Sequence, residues 1–139
     1  MPTTRRNSKW ESSIEDRDMF TISVETHSRA SHRLNLPDGD KEPAHYHDWV
    51  VTAEVSRKKL DNMAVVINFQ KLKHMLDEII SDFHNSALNK FRYFQQNNPS
   101  AENVARYIFE KLDKKLPKGT KLENVKVVEE PGCWAKFSR

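Results

Sequence analysis

The apolar residues of this chain change their spacing twice, and that change restricts the available folds more than any other feature. Phe20, Ile22 and Val24 alternate with Thr21, Ser23 and Glu25 over Met19 to Thr26, the period of two that a half-buried strand requires. Trp49, Val51, Ala53 and Val55 repeat the pattern within residues 45 to 56. The period then lengthens. Phe69, Leu72, Leu76, Ile79, Ile80 and Phe83 recur at helical spacing behind Asn68, which is placed to cap a helix. Val104, Ile108 and Leu112 do the same behind Ser100, with Glu102 in the first turn and a stop before Pro117 and Gly119. Alternation returns at Val125 and Val127, within residues 122 to 129, and the Pro131-Gly132 turn signal joins these to a last strand over residues 133 to 137. Between these elements, Asn35 to Pro43 reads as a loop, Lys58 to Asn62 as a turn and Ala64 to Ile67 as a short extended run. The expected order is ββααββ, an α+β fold whose antiparallel sheet carries two helices on one face. A four-stranded sheet with open edges also invites assembly, so a homo-oligomer is expected.

At 139 residues the chain suits one domain. Residues 1–17 are polar without a period and read as a flexible arm, leaving residues 18–139 for the domain. Charged residues make up 31% and the mean hydropathy is -0.81. No apolar run approaches a membrane span and no secretory signal opens the chain, so a cytoplasmic protein without a membrane partner is expected. Cys133 is the only cysteine, which rules out an internal disulfide and a cysteine-based zinc site; it reads as a small apolar strand residue. The net charge of +3 comes from Lys and Arg dispersed among nearly as many Asp and Glu, so no nucleic-acid partner is expected.

His45-Tyr46-His47 stands where the second strand begins, and side chains at i and i+2 of a strand share a face. Their Cβ atoms lie roughly 7 Å apart, close enough for both imidazoles to reach one ion. His32 supplies a third ligand if the first strand runs antiparallel to the second. It is otherwise a surface loop histidine, and the spacing alone leaves both readings open. Three histidines leave a coordination position for water or substrate, the catalytic type of zinc site.

Six segments in order bring a family into view. Ala30-Ser31-His32-Arg33-Leu34, His45-Tyr46-His47, Val66-Ile67-Asn68-Phe69, His84-Asn85-Ser86-Ala87-Leu88-Asn89, Pro99-Ser100-Ala101-Glu102-Asn103 and Val127-Val128-Glu129 follow one another. In that register the chain resembles the 6-pyruvoyltetrahydropterin and 6-carboxytetrahydropterin synthases over residues 19 to 139. The resemblance implies the tunnelling fold (T-fold), a barrel of subunits such as a hexamer or another multiple of trimers, with a pterin site at the subunit interface. It implies zinc on His32, His45 and His47, with Mg²⁺ a further candidate for a triphosphate. It also implies that Glu129 anchors the pterin, and a carboxylate suits the two parallel N–H groups of a guanidine-like edge. Ser100, Ala101 and Glu102 are placed to help bind the ring, and they read equally well as an ordinary capped helix start. The implied substrate is 7,8-dihydroneopterin triphosphate, on the way to a pterin or a queuosine-type deazapurine, and the implied enzyme is a zinc-dependent carbon–oxygen or carbon–carbon lyase.

The pattern also departs from the family. The cysteine that often serves as base before His-x-His is missing, and Glu42 stands there in a Glu-x-x-His-x-His segment. That segment resembles the subgroup that cleaves the side chain to 6-hydroxymethyldihydropterin. Glu42 is therefore a candidate base, or else a loop carboxylate. The family's Asp-His pair falls on His84-Asn85, so His84 is the second candidate, with Asp82 near but not adjacent. Asn68 replaces an Asp and Tyr46 a Gly. A relative that keeps zinc and pterin but has lost turnover is the alternative to an enzyme, and a scaffold whose histidines merely pack is the third reading.

Overall fold

A computed structural model describes residues 17–139, so the expected arm over residues 1–17 lies, Arg17 apart, outside the described residues. Two long strands open the fold, β1 (Phe20–His32) and β2 (His45–Arg57). They pair antiparallel along their whole length, from Phe20 opposite Arg57 to His32 opposite His45. The helix α1 (Phe69–Ser81) follows, then a two-residue strand β3 (Ser86–Ala87), a 3-10 turn at Leu88–Lys90, a short helix α2 (Arg92–Gln96) and the long helix α3 (Ala101–Asp113). Strands β4 (Lys121–Glu130) and β5 (Cys133–Phe137) complete the chain. The sheet order is β3-β1-β2-β4-β5, antiparallel throughout except where β3 meets Ala30 and Ser31 of β1 in parallel.

The core forms where the two periods meet. Trp49, Val51, Ala53 and Val55 of β2 with Val125 and Val127 of β4 present one sheet face, and Leu72, Leu76, Ile108 and Leu112, all at 0% exposure, cover it from α1 and α3. Each such side chain contributes about 1.5–3 kcal/mol by leaving water. Both helix starts are capped as their sequences require: Asn68 Oδ1 accepts from the Lys71 amide at 3.1 Å, and Ser100 Oγ from the Asn103 amide at 3.2 Å.

The differences from the sequence reading have physical causes. β1 continues six residues beyond Thr26, because its inward positions there are Thr26, Ser28, Ala30 and His32, buried but without the apolar signal of a strand. Ala64 to Ile67 forms no strand; Ala64 takes φ 60° and the segment bends around Asp61, whose carboxylate accepts from the Met63 and Val65 amides. Phe69 opens α1 before the helix reaches the sheet and is 56% exposed, so it leaves the apolar stripe. Phe83 is buried, but in the turn after α1. Cys133 is exposed rather than packed. β3 makes the sheet five-stranded, and its two residues are too few for a period to reveal.

Candidate metal centre

The register of β1 and β2 sets His32 directly across from His45, and Ala30 across from His47. All three histidines therefore stand on the core side at one end of the sheet, with ligand-capable nitrogens within 4.8 Å of one another. His32 is 2% exposed, His47 is partly buried and His45 opens to solvent. Trp49 continues the same face and holds the rings edge-on, with centroids 5.0 Å from His32 and 5.5 Å from His47. Its own indole donates to the Ala30 carbonyl at 3.1 Å.

The hydrogen bonds assign the free nitrogens. His32 Nδ1 donates to the Pro99 carbonyl at 2.7 Å and His45 Nδ1 to the Pro43 carbonyl at 3.0 Å, so in each neutral ring Nε2 carries the lone pair. These two Nε2 atoms face each other at 3.1 Å. His47 Nε2 is buried with no hydrogen-bond partner among the described residues. Glu129 adds a carboxylate, 3.3 Å from His32 Nε2 and 3.9 Å from His47 Nε2. Burial holds the His47 pKa below its ordinary value, and His32 and His45 lower it further against the opposing pull of Glu129. Ligand-capable nitrogens and a carboxylate thus converge on one point, which suits a cation. Bonds of about 2.0–2.1 Å in a tetrahedral shell separate two nitrogens by roughly 3.3 Å; the His32–His45 separation fits a divalent ion of the zinc type.

A set of asparagines holds the chain on either side of the site. Asn89 Oδ1 accepts from the Arg33 amide at 3.0 Å while its Nδ2 donates to the Arg33 carbonyl at 2.9 Å. Asn98 grips Asn35 in the same two-point way, at 2.8 and 3.0 Å. Asn103 Nδ2 donates to the Asn98 carbonyl at 2.8 Å, next to the Pro99 carbonyl that orients His32. Sequence reasoning missed these roles and that of Trp49. The signal for Trp49 was its place four residues after His45 on one strand face; Asn89 and Asn103 lay inside motifs whose other members drew the attention.

Glu129 occupies a bulge. The ladder between β4 and β5 shifts register between Val128 and Glu130, leaving Glu129 unpaired, and a bulge re-aims the side chain it carries. Glu129 also lines a cavity of about 290 Å³ together with Ser100, Ala101 and Glu102, so the four expected substrate-binding residues surround one space. The two candidate bases make their contacts elsewhere. Glu42 Oε1 accepts from the Leu34 amide at 3.0 Å, and its backbone carbonyl accepts from Arg33. His84 is exposed after α1, its Nδ1 at 3.5 Å from the Arg29 amide. Asn85 beside it takes φ 57°, a left-handed conformation that Asn tolerates.

Known proteins resemble this chain in sequence and in fold. The family model described as 6-pyruvoyl tetrahydropterin synthase matches residues 21–139. A protein of Archaeoglobus fulgidus assigned as a 6-carboxy-5,6,7,8-tetrahydropterin synthase is 30% identical over 120 residues, covering 85% of this chain and 95% of the relative. A dihydroneopterin monophosphate aldolase of Pyrococcus furiosus is 29% identical over 100 residues, covering 72% and 81%. The 6-pyruvoyl tetrahydropterin synthase of Caenorhabditis elegans superposes with a TM-score of 0.77 at 22% identity over 88% of this chain and 96% of that one. The Plasmodium vivax enzyme, in a variant whose catalytic glutamate is replaced by alanine, gives 0.67 at 15% identity over 88% and 98%. The sheet is that of the tunnelling fold, and the chain belongs to the 6-pyruvoyl tetrahydropterin synthase family of pterin-acting enzymes.

Proposed function

We propose that this chain is a zinc-dependent lyase acting on 7,8-dihydroneopterin triphosphate. The observation that carries the reading is the convergence of three imidazoles, their ligand-capable nitrogens within 4.8 Å of one another, beside a cavity that Glu129 lines. His32, His45 and His47 would hold a divalent ion, which would supply Lewis acidity to a hydroxyl of the substrate side chain. Glu129 turns from the histidines to the cavity and accepts two parallel hydrogen bonds from the guanidine-like edge of the pterin, fixing which carbon faces the histidines. Ser100, Ala101 and Glu102 flank the ring. Glu42 or His84 takes the proton, Glu42 by giving up its bond to the Leu34 amide. Mg²⁺ accompanies the triphosphate. The edge of β1 away from β2, which β3 covers only at Ala30 and Ser31 among the described residues, and the outer edge of β5 support a homo-oligomer, a hexamer or other multiple of trimers. A cytoplasmic role in pterin or queuosine-type precursor synthesis accords with these elements, and no helix among the described residues is long and apolar enough to cross a membrane.

The Glu-x-x-His-x-His segment favours a second reading, an aldolase-like cleavage to 6-hydroxymethyldihydropterin, and the Pyrococcus furiosus relative, named an aldolase for dihydroneopterin monophosphate, supports it. Zinc-loaded protein incubated separately with the triphosphate and the monophosphate, with products identified by mass, decides between them. If both substrates stay intact while a known relative consumes its own, the enzyme reading is abandoned.

A further inference from the structure

A cavity of about 720 Å³, more than twice the size of the one beside Glu129, opens at the far end of the first hairpin. Phe20 pairs with Arg57 there, whereas His32 pairs with His45 at the other end, roughly 40 Å away by strand rise. Its wall carries Arg57, Lys58, Lys59 and Lys121 beside the apolar Met19 and Leu60. Lys121 has a carboxylate partner in Glu123 at 3.5 Å, and Asp61, the acid in the wall, has one oxygen committed to two backbone amides. Arg57, Lys58 and Lys59 make no ion pair with the described residues.

Arg57 is the fixed member of this group. It is half-buried, its Nη1 donates to the Val66 carbonyl at 3.1 Å, and its guanidinium lies under the Gly119 turn. A Cβ at position 119 would stand 3.4 Å from Nη2, and the φ of 87° there also favours glycine. A guanidinium removed from bulk water without a counter-charge is costly, and its planar fork matches phosphate oxygens. The volume falls in the range of small-molecule sites. We propose that this cavity binds a phosphate ester of nucleoside-monophosphate size, its phosphate held by Arg57, Lys58 and Lys59 and its body resting on Met19 and Leu60. The site is separate from the histidine centre.

The three glycines of the chain provide the test. Gly119 borders this cavity, Gly39 lies in the β1–β2 loop and Gly132 in the β4–β5 turn beside the candidate pterin site. In zinc-loaded protein carrying ¹⁵N only at glycine, inorganic phosphate and AMP are titrated against sodium chloride of equal ionic strength. Both phosphates are expected to shift Gly119 and leave Gly39 in place, with AMP saturating first. Lys58→Gln/Lys59→Gln, at two exposed positions, is expected to weaken both titrations by at least about tenfold, as loss of charge-assisted hydrogen bonds would. An unmoved Gly119, an equal shift with chloride, a shift confined to Gly132, or an unchanged titration in the double variant each overturns the proposal. AMP binding no tighter than phosphate overturns the apolar contact with Met19 and Leu60.

Discussion

Replacing Asn89 by Ala separates the positioning of His32 from the stability of the fold. The Asn89 amide makes two hydrogen bonds to the backbone of Arg33, the residue after His32, at 3.0 and 2.9 Å. Each contributes about 0.5–1.5 kcal/mol, so the variant is expected to lose about 1–3 kcal/mol. For a chain of this length each kilocalorie lowers Tm by roughly 3–4 °C, giving a fall of about 3–12 °C in a thermal melt of metal-free protein. The stronger expectation concerns metal. Groups that orient a ligating imidazole are worth about 10–100-fold in affinity, and Arg33 fixes the strand end from which His32 reaches the other two rings. Competition between Co²⁺-loaded protein and a chelator, followed by the cobalt absorption band, measures this. A melt lowered as expected together with a cobalt affinity within about twofold of the wild type would refute the argument, because the clamp would then serve the fold alone.

Elemental analysis of purified protein should find close to one divalent ion per chain, and His45→Ala, at an exposed position, should lose it while the metal-free proteins melt at nearly the same Tm. Glu129→Gln keeps the shape of the bulge but removes the charge that would face the pterin edge; fluorescence titration with a dihydropterin should weaken while the zinc content stays the same. Ser100→Ala removes the cap of α3 and should cost about 1 kcal/mol in urea unfolding, whereas Ser100→Thr should restore most of it. Leu72→Ala, at 0% exposure, should cost about 2–5 kcal/mol, and a smaller loss would mean that α1 packs less tightly on the sheet than its contacts imply.

Periodicity made the two long helices, the outer strand pair and most of the core readable, because each apolar side chain there has to meet the sheet–helix interface at a fixed repeat. The histidines were half readable. His45 and His47 share a face by strand geometry alone, but His32 joins them only through the pairing of β1 with β2 across the Asn35 to Pro43 loop, and after Val24 its own strand has only the small Ala30 as an apolar inward residue. The motif makes Glu129 a candidate, yet its placement comes from a register shift against β5 that no single strand encodes. The asparagine clamps are harder still. Asn89 reaches Arg33 across 56 residues and Asn98 reaches Asn35 across 63, in bonds from side chain to backbone that leave no spacing rule in the chain.

The facing of His32 and His45 across the hairpin also bears on how the chain folds. Thr26 and Ser28 weaken the apolar face of β1, so the hydrophobic pattern alone holds that strand's alignment loosely near its end. A slip of one residue would turn His32 to the opposite side of the sheet and leave His45 without its counterpart. An ion that needs both rings binds only the correctly aligned hairpin and withdraws it from the misaligned population. Metal at this position would then act as a proofreader of strand alignment during folding, before any substrate is met.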